Sequence, residues 1–337
     1  MRLKELGEER IIRDLEKRFA PNRHPRLVKG IGDDTSVTIQ KAGRALLATT
    51  DVLIEGTHFK PDCTTPYLLG KKSLSISLSD IAAMGGEPLF SLVSLALPSG
   101  TEKKFLDGLY EGISDCAEEY GVIVAGGNTA RIKGGVMVST TVIGEMPENE
   151  VVYRSGARPG DTIYVTGAIG DSALGLLELK KNGIKALSKG PFKGAALRHL
   201  APAPRLLAGR LLAKNKLAHS MIDISDGLAL DLNRVCEQSG VGAIIDLASV
   251  PISGEMRRYA ASSKKDWARL VLSGGEDYEL LFTSSSDGAK IATLGKKIGL
   301  MITPIGKIVA KGRKGRLTII GLDGKPVKLQ RLGFEHF

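Results

Sequence analysis

Short, β-branched apolar runs alternate with helix-length segments along this chain, and one polar, turn-rich stretch at about 147–160, PENEVVYRSGARPGD, interrupts the series. Such alternation restricts the chain to α/β architecture, because the apolar face of each strand and the apolar stripe of each helix must be buried against a neighbouring element. Before the interruption, SVTI, RALLATT, PLFSLVSLALP, VIVAGG and GVMVSTTVIG read as strands. Thr65-Pro66 is a helix start and Gly85-Gly86 followed by Pro88 a helix stop, so a helix is predicted between them. TEKKFLDGLYEGISDCAEEYG predicts another, closed by Gly121, and Ile11, Ile12, Leu15 and Phe19 give residues 8–19 helical spacing. After the interruption, DTIYVTG, SMIDIS, GAIIDL and YELLFTS read as strands, with SALGLLELKKNG, PRLLAGRLLAKN, GLALDLNRVCEQSG and AKIATLGKKIG as helices. Asp323-Gly324 marks a late hairpin turn. The expectation is a mixed α/β (α+β) fold in two domains of similar size, 1–148 and 149–337, and the 337-residue length favours the same division.

Composition narrows the class. No apolar run approaches the roughly 20 residues of a membrane-spanning helix. The N-terminal MRLKELGEERIIRDL is charged throughout and carries no apolar signal segment, so secretion is not expected. Cys63, Cys116 and Cys236 are too far apart for a CxxC motif, and their odd number argues against a disulfide framework; a reducing cytoplasm is the expected compartment. The net charge of +10 attracts polyanions, either nucleic acids or phosphorylated metabolites. The basic residues are dispersed, and no finger, zipper, helix-turn-helix or aromatic-basic strand signature occurs, which argues against nucleic acid.

Carboxylates recur at the ends of apolar runs: Asp33 and Asp34 in GIGDD, Asp51 in ATTD, Asp80 in SLSD, Asp223 and Asp226 in IDISD, Glu276 and Asp277 in SGGED. Any one of them fits a helix cap or an Asx turn, and Asp226, just before a helix starting at Gly227, fits a cap best. Asp80 does not, because a carboxylate inside an apolar helical stretch needs a partner or a cation. The set, with hydroxyls nearby and no Cys/His cluster, is the ligand chemistry of a hard cation such as Mg²⁺, and a basic surround adds phosphate chemistry. Gly126-Gly127-Asn128-Thr129-Ala130-Arg131 fits a cradle of backbone N–H groups for phosphate and, equally, a turn at a strand end with a surface arginine. Arg154, Lys71 and Lys72 read as cationic contacts or as solvated surface groups. The familiar nucleotide motifs are absent: Gly70-Lys71-Lys72-Ser73 has neither the order nor the upstream glycine of a P-loop, and Gly30–Thr35 has threonine at the third glycine of a dinucleotide fingerprint.

Taken in order, GIGDD, TTDVLIEGTHF, KSLSISLSDIAAMGGEP, AGGNTAR, RSGARPGD, TGAIGDSALGL, IDISDGL and SGGEDYELLF closely resemble the thiamine-monophosphate kinase family, collinearly from about residue 28 to the C-terminus. That family belongs to a wider group with aminoimidazole ribonucleotide synthetase, selenophosphate synthetase and a hydrogenase maturation protein. The resemblance implies an N-terminal α/β domain that binds ATP and magnesium and pairs across a homodimer, a C-terminal α/β domain completing the cleft, and transfer of the ATP γ-phosphoryl group to thiamine monophosphate. It further implies several Mg²⁺ ions on Asp34, Thr49, Thr50, Asp51, Asp80, Asn128, Asp223 and Asp226. ATP contacts fall on Gly127, Asn128, Arg154 and Ser225, and substrate contacts on His58, Glu276 and Phe334. No side chain is implied as acid or base. One departure stands out: GGNTAR replaces the family's usual GGDTTR, so Asn128 stands where a metal-binding Asp is usual. The alternatives are another ATP-dependent synthetase of the same group, against which TTDVLIEGTHF and GFEHF weigh, and a basic, non-catalytic nucleic-acid-binding protein.

Overall fold

The computed structural model describes residues 27–29, 33–34, 36–262, 267–311 and 317–336. The first sheet contains β1 (Leu27–Lys29), β2 (Ser36–Lys41), β3 (Arg44–Ile54), β4 (Glu87–Leu97), β5 (Ile123–Arg131) and β6 (Met137–Pro147), in the order β1-β2-β3-β6-β4-β5. Its neighbours are antiparallel except β4 and β5, which are parallel. A parallel pair needs a crossover, and the helix Lys103–Tyr120 supplies it. Between β3 and β4 runs α1 (Pro66–Ala83); Thr65 caps it by accepting the N–H of Leu68 at 3.2 Å, and proline opens its first turn. The crossover helix, α2, ends at Gly121 in the left-handed conformation.

The second sheet has the order β12-β9-β11-β7-β10-β8, from β7 (Thr162–Thr166), β8 (Ser220–Asp223), β9 (Gly242–Asp246), β10 (Leu280–Ser284), β11 (Ile302–Val309) and β12 (Leu317–Ile320). Around it lie α3 (Asp171–Asn182), α4 (Lys193–Leu200), α5 (Leu206–Lys214) and α6 (Leu228–Ser239). The first sheet ends at Pro147 and the second begins at Thr162, on either side of the polar stretch.

The position of α1 organises the molecule. It packs on β3 and β6, against α2, and against α5 and β8 of the second half. With neighbours on all these sides it is buried from Leu69 almost to its end, and one apolar core runs from Leu47, Leu78 and Met84 across to Met221, Leu280 and Phe282. Close approach of α1 to α2 depends on glycine: a Cβ at Gly70 would lie 2.0 Å from the Leu109 carbonyl oxygen, and one at Gly112 would lie 1.9 Å from that of Tyr67.

Two expectations change. Gly126–Arg131 is neither a turn nor a loop; it continues β5, an edge strand exposed along its whole length. The local glycines suggested a turn, but pairing with β4 decides, and Gly127 permits it because a Cβ there would meet the Val93 carbonyl oxygen at 1.8 Å. Asp323-Gly324 does form a turn, yet the returning chain meets β12 only through a bridge between Ile320 and Pro326. The helix expected at 8–19 lies outside the described residues, as do Gly30 and Gly32. Among the described residues, no helix is long and apolar enough to cross a membrane.

Candidate active site

Because α1 lies between the two halves, its polar side chains face both. Ser77 donates to Asp51 Oδ2 on β3 at 2.8 Å, Asp80 Oδ2 accepts from Thr49 Oγ1 at 2.5 Å, and Ser79 donates to Asp223 Oδ2 at the end of β8 at 2.6 Å. Asp34 completes the group: Asp34, Asp80 and Asp223 each bring a carboxylate oxygen within 4.8 Å of the others. Strand alternation aims Thr49 and Asp51 inward from β3.

Burial drives the electrostatics of this cluster. It pushes Asp51 up to about 6, and Asp80 and Asp223 well above the ordinary carboxylate range, with neighbouring carboxylates adding to the rise. Arg154 compensates one side, pairing with Asp34 through Nε at 2.9 Å and through Nη2. The other Asp34 oxygen, Oδ2, is buried with no hydrogen-bond partner. Converging carboxylates with an orphaned oxygen call for a cation, and an all-oxygen donor set suits Mg²⁺.

Not every expected ligand joins them. Thr50 points to the opposite face of the sheet, where its Oγ1 accepts from Thr141 Oγ1 at 2.9 Å. Gly127 lies in the cross-strand row Asp51–Thr140–Val93–Gly127, three strand spacings or about 14 Å from Asp51, with Asn128 beside it. Gly127 and Asn128 line a cavity of about 490 Å³ with Tyr110 and Thr129. Within one chain, the expected ATP contacts therefore fall in two places: Gly127 and Asn128 on β5, Arg154 and Ser225 beside the carboxylates. Asp226 is not a cap. The helix begins at Leu228 without a side-chain cap, Asp226 pairs with Arg234 at 2.5 Å, and Asp231 accepts the N–H groups of Asp226 and Gly227 instead. A guanidinium is a stronger partner for a carboxylate than a helix-end N–H. Nor do the α1 lysines reach out for phosphate, since Lys71 pairs with Glu119 at 3.1 Å and Lys72 with Glu276 at 2.7 Å.

His58 and Phe334, expected at the substrate, meet through His336, whose ring lies 5.0 Å from His58 and 4.9 Å from Phe334. The Phe334 N–H donates to the Asp226 carbonyl at 2.9 Å, tying this tail to the carboxylate side. His58 Nδ1 accepts the Ile54 N–H at 3.0 Å, which leaves Nε2 to carry the proton. Burial, then the charge of His336, holds its imidazolium below the usual range, while the Glu276 carboxylate pulls the other way. Ser77, Ser79, His199 and His336 were not singled out in the sequence. Serines repeated along an apolar helix, SLSISLSD, were the available signal for the first two, and the GFEHF tail for His336; His199 carries no local signal.

Residues 32–146 match the AIR synthase related protein N-terminal domain, and residues 158–317 the corresponding C-terminal domain. The chain is 38% identical over 314 residues to the thiamine-monophosphate kinase of Escherichia coli strain K12, covering 91% of each, and 36% identical over 340 residues to that of Aquifex aeolicus, covering 100% of each. It belongs to the thiamine-monophosphate kinase family. Among solved structures, AaThiL complexed with AMPPCP and TMP superposes with a TM-score of 0.86 at 34% identity, covering 100% of this chain and 99% of that one. The hydrogenase maturation protein HypE shares the fold, with a TM-score of 0.68 at 19% identity over 92% of this chain and 95% of its own. The kinase family thus shares both fold and substantial sequence with this chain, and HypE the fold alone.

Proposed function

We propose that this chain is an ATP-dependent thiamine-phosphate kinase, transferring the γ-phosphoryl group of ATP to thiamine monophosphate to give thiamine diphosphate and ADP. The observation that carries the reading is the convergence of Asp34, Asp80 and Asp223 at the junction of the two halves, in a chain of the thiamine-monophosphate kinase family. Kinase relatives and the AaThiL complex with AMPPCP and TMP support both substrates.

The residues fit a site for Mg²⁺, held by Asp34, Asp51, Asp80 and Asp223 with Thr49 beside them; when bound, the ions screen the repulsion between two anionic phosphates. Thr49, Ser77 and Ser79 orient the carboxylates, and Arg154 holds Asp34 in place. No proton acceptor is required, because a phosphate monoester has a second pKa of about 6 and is largely dianionic at neutral pH. What the chain supplies is alignment and electrostatic complementarity, the usual protein contribution to phosphoryl transfer. His58, Glu276 and Phe334 form the side that receives the thiamine moiety. Residues 1–148 act as the ATP- and magnesium-binding half and 149–337 complete the cleft.

The outer face of the first sheet exposes Val52, Ile54, Phe90, Leu92 and Ile123, which supports pairing of two copies through this face. A cytoplasmic setting accords with both substrates. The test is incubation with MgATP and thiamine monophosphate followed by chromatography: thiamine diphosphate and ADP in equal amounts are expected, and ATP hydrolysis without thiamine diphosphate would overturn the reading. The aminoimidazole ribonucleotide and selenophosphate reactions serve as controls and are expected to be absent.

A further inference from the structure

Glu276 occupies an unusual position. Its backbone is left-handed, with φ of 65°, and its N–H donates to the Ser225 carbonyl at 2.6 Å. The next residue, Asp277, is buried and accepts the N–H groups of Gly170 and Ser172 at 2.6 and 3.0 Å, fixing the segment to the start of α3. The Glu276 carboxylate is consequently delivered to one place, between Lys72 of α1 and His199 of α4. Lys72 is 3% exposed, its Nζ 2.7 Å from Glu276 Oε1; His199 Nδ1 is 2.9 Å from Ser172 Oγ and 3.4 Å from Glu276 Oε2.

A lysine this deep is seldom found without a reason, and its only ion-pair partner among the described residues is Glu276. The pair crosses from the first half of the chain to the second. We propose that Lys72 is a positioning residue for thiamine monophosphate: it fixes the rotamer of Glu276 and keeps it ionised, so that this side chain, still 27% exposed, meets the substrate as a hydrogen-bond acceptor and anion. The inference rests on the kinase reading given above. Three observations on the charges agree with it. Burial pushes the Glu276 carboxyl toward its neutral form, but the charge and hydrogen bond of Lys72 lead the effects that outweigh burial and hold the group below the usual carboxylate range. Burial, with Lys72 next, pushes His199 down to about 4, so His199 is neutral and Lys72 is the cation of the cluster. The charges of both Glu276 and Lys72 also reach His58, on the same substrate side. An ionised carboxylate is acceptor-only and suits the thiazolium cation and exocyclic amine of the thiamine moiety; a protonated one would donate to neither.

The test is a double-mutant cycle on the full chain, with Lys72→Met, Glu276→Gln and the double variant. Lys72→Met removes the charge at nearly constant volume. Steady-state constants are measured for each substrate with the other saturating, together with calorimetric binding of thiamine monophosphate. The expected result is a rise of about tenfold or more in KM for thiamine monophosphate, a matching loss in binding, and a KM for ATP within about twofold of the original protein, as befits loss of a charged hydrogen bond on one substrate. In the Glu276→Gln background, Lys72→Met adds nothing. Additive effects, an unchanged KM for thiamine monophosphate in Lys72→Met, or equal shifts for both substrates would overturn the proposal. Should Lys72→Met alone fail to fold, comparison of the double variant with Glu276→Gln still decides: equal constants support the proposal, and a further rise refutes it. A wild-type protein that does not turn over thiamine monophosphate overturns the kinase reading itself, a different outcome from wild-type turnover with an inert Lys72.

Discussion

Asp51 and Asp80 carry the residue-scale argument. Burial lifts Asp51 from 3.8 to about 6, so between those values the folded, metal-free protein binds more protons than the unfolded chain and its stability falls as pH rises through that window. Asp80 and Asp223 are displaced in the same direction. A cation removes the penalty by keeping these groups ionised, so Mg²⁺ is expected to raise the melting temperature by about 5 °C at pH 8 and by much less at pH 5, where protons compete for the same oxygens. Asp80→Asn is expected to raise the melting temperature of the metal-free protein at pH 8, to remove most of the Mg²⁺ shift, and to lower turnover by about a hundredfold or more. A melting curve at each pH, with and without Mg²⁺, checks all but the last; a Mg²⁺ shift independent of pH would refute the metal-holding role of the cluster. Asp80 was legible in sequence as a misfit in an apolar helix. Asp226 was misread as a cap because its partner, Arg234, lies two turns further along a helix whose start local residues do not fix.

Among the elements, α1 carries most of the site, and its placement depends on close contact with α2. Gly112→Ala would set a Cβ 1.9 Å from a backbone oxygen, which must force the helices apart. Overpacking of this kind costs about 1–3 kcal/mol, so a fall of about 5 °C in melting temperature is expected, with reduced turnover as Lys72, Ser77, Ser79 and Asp80 move together. Calorimetry of the variant checks it; an unchanged melting temperature would mean that the crossing tolerates a side chain. Both ends of α1 were readable because Thr65-Pro66 and Gly85-Gly86 act locally. The course of β5 was not, because GGNTAR has the composition of a turn and becomes a strand only through its pairing with β4. That difference puts Gly127 and Asn128, whose segment fits a phosphate cradle and a turn equally by sequence, on an exposed sheet edge, well away from Asp51.

For the molecule as a whole, the alternation of runs fixed the two-part architecture, whereas the central position of α1 between them depended on long-range packing that no local pattern announces. The apolar outer face of the first sheet leads to an expected mass of about twice 35.8 kDa by light scattering. Phe90→Lys with Leu92→Lys is expected to halve it, because facing charges oppose strand-face pairing. A monomeric original protein with full activity would contradict the pairing. The central claim, direct transfer between ATP and a phosphate acceptor, is tested most directly by tracing the label from ATP labelled at its γ-phosphate in the presence of thiamine monophosphate and Mg²⁺. The account predicts that the label appears in the terminal phosphate of thiamine diphosphate, in amounts equal to the ADP formed; label appearing only as inorganic phosphate would contradict it.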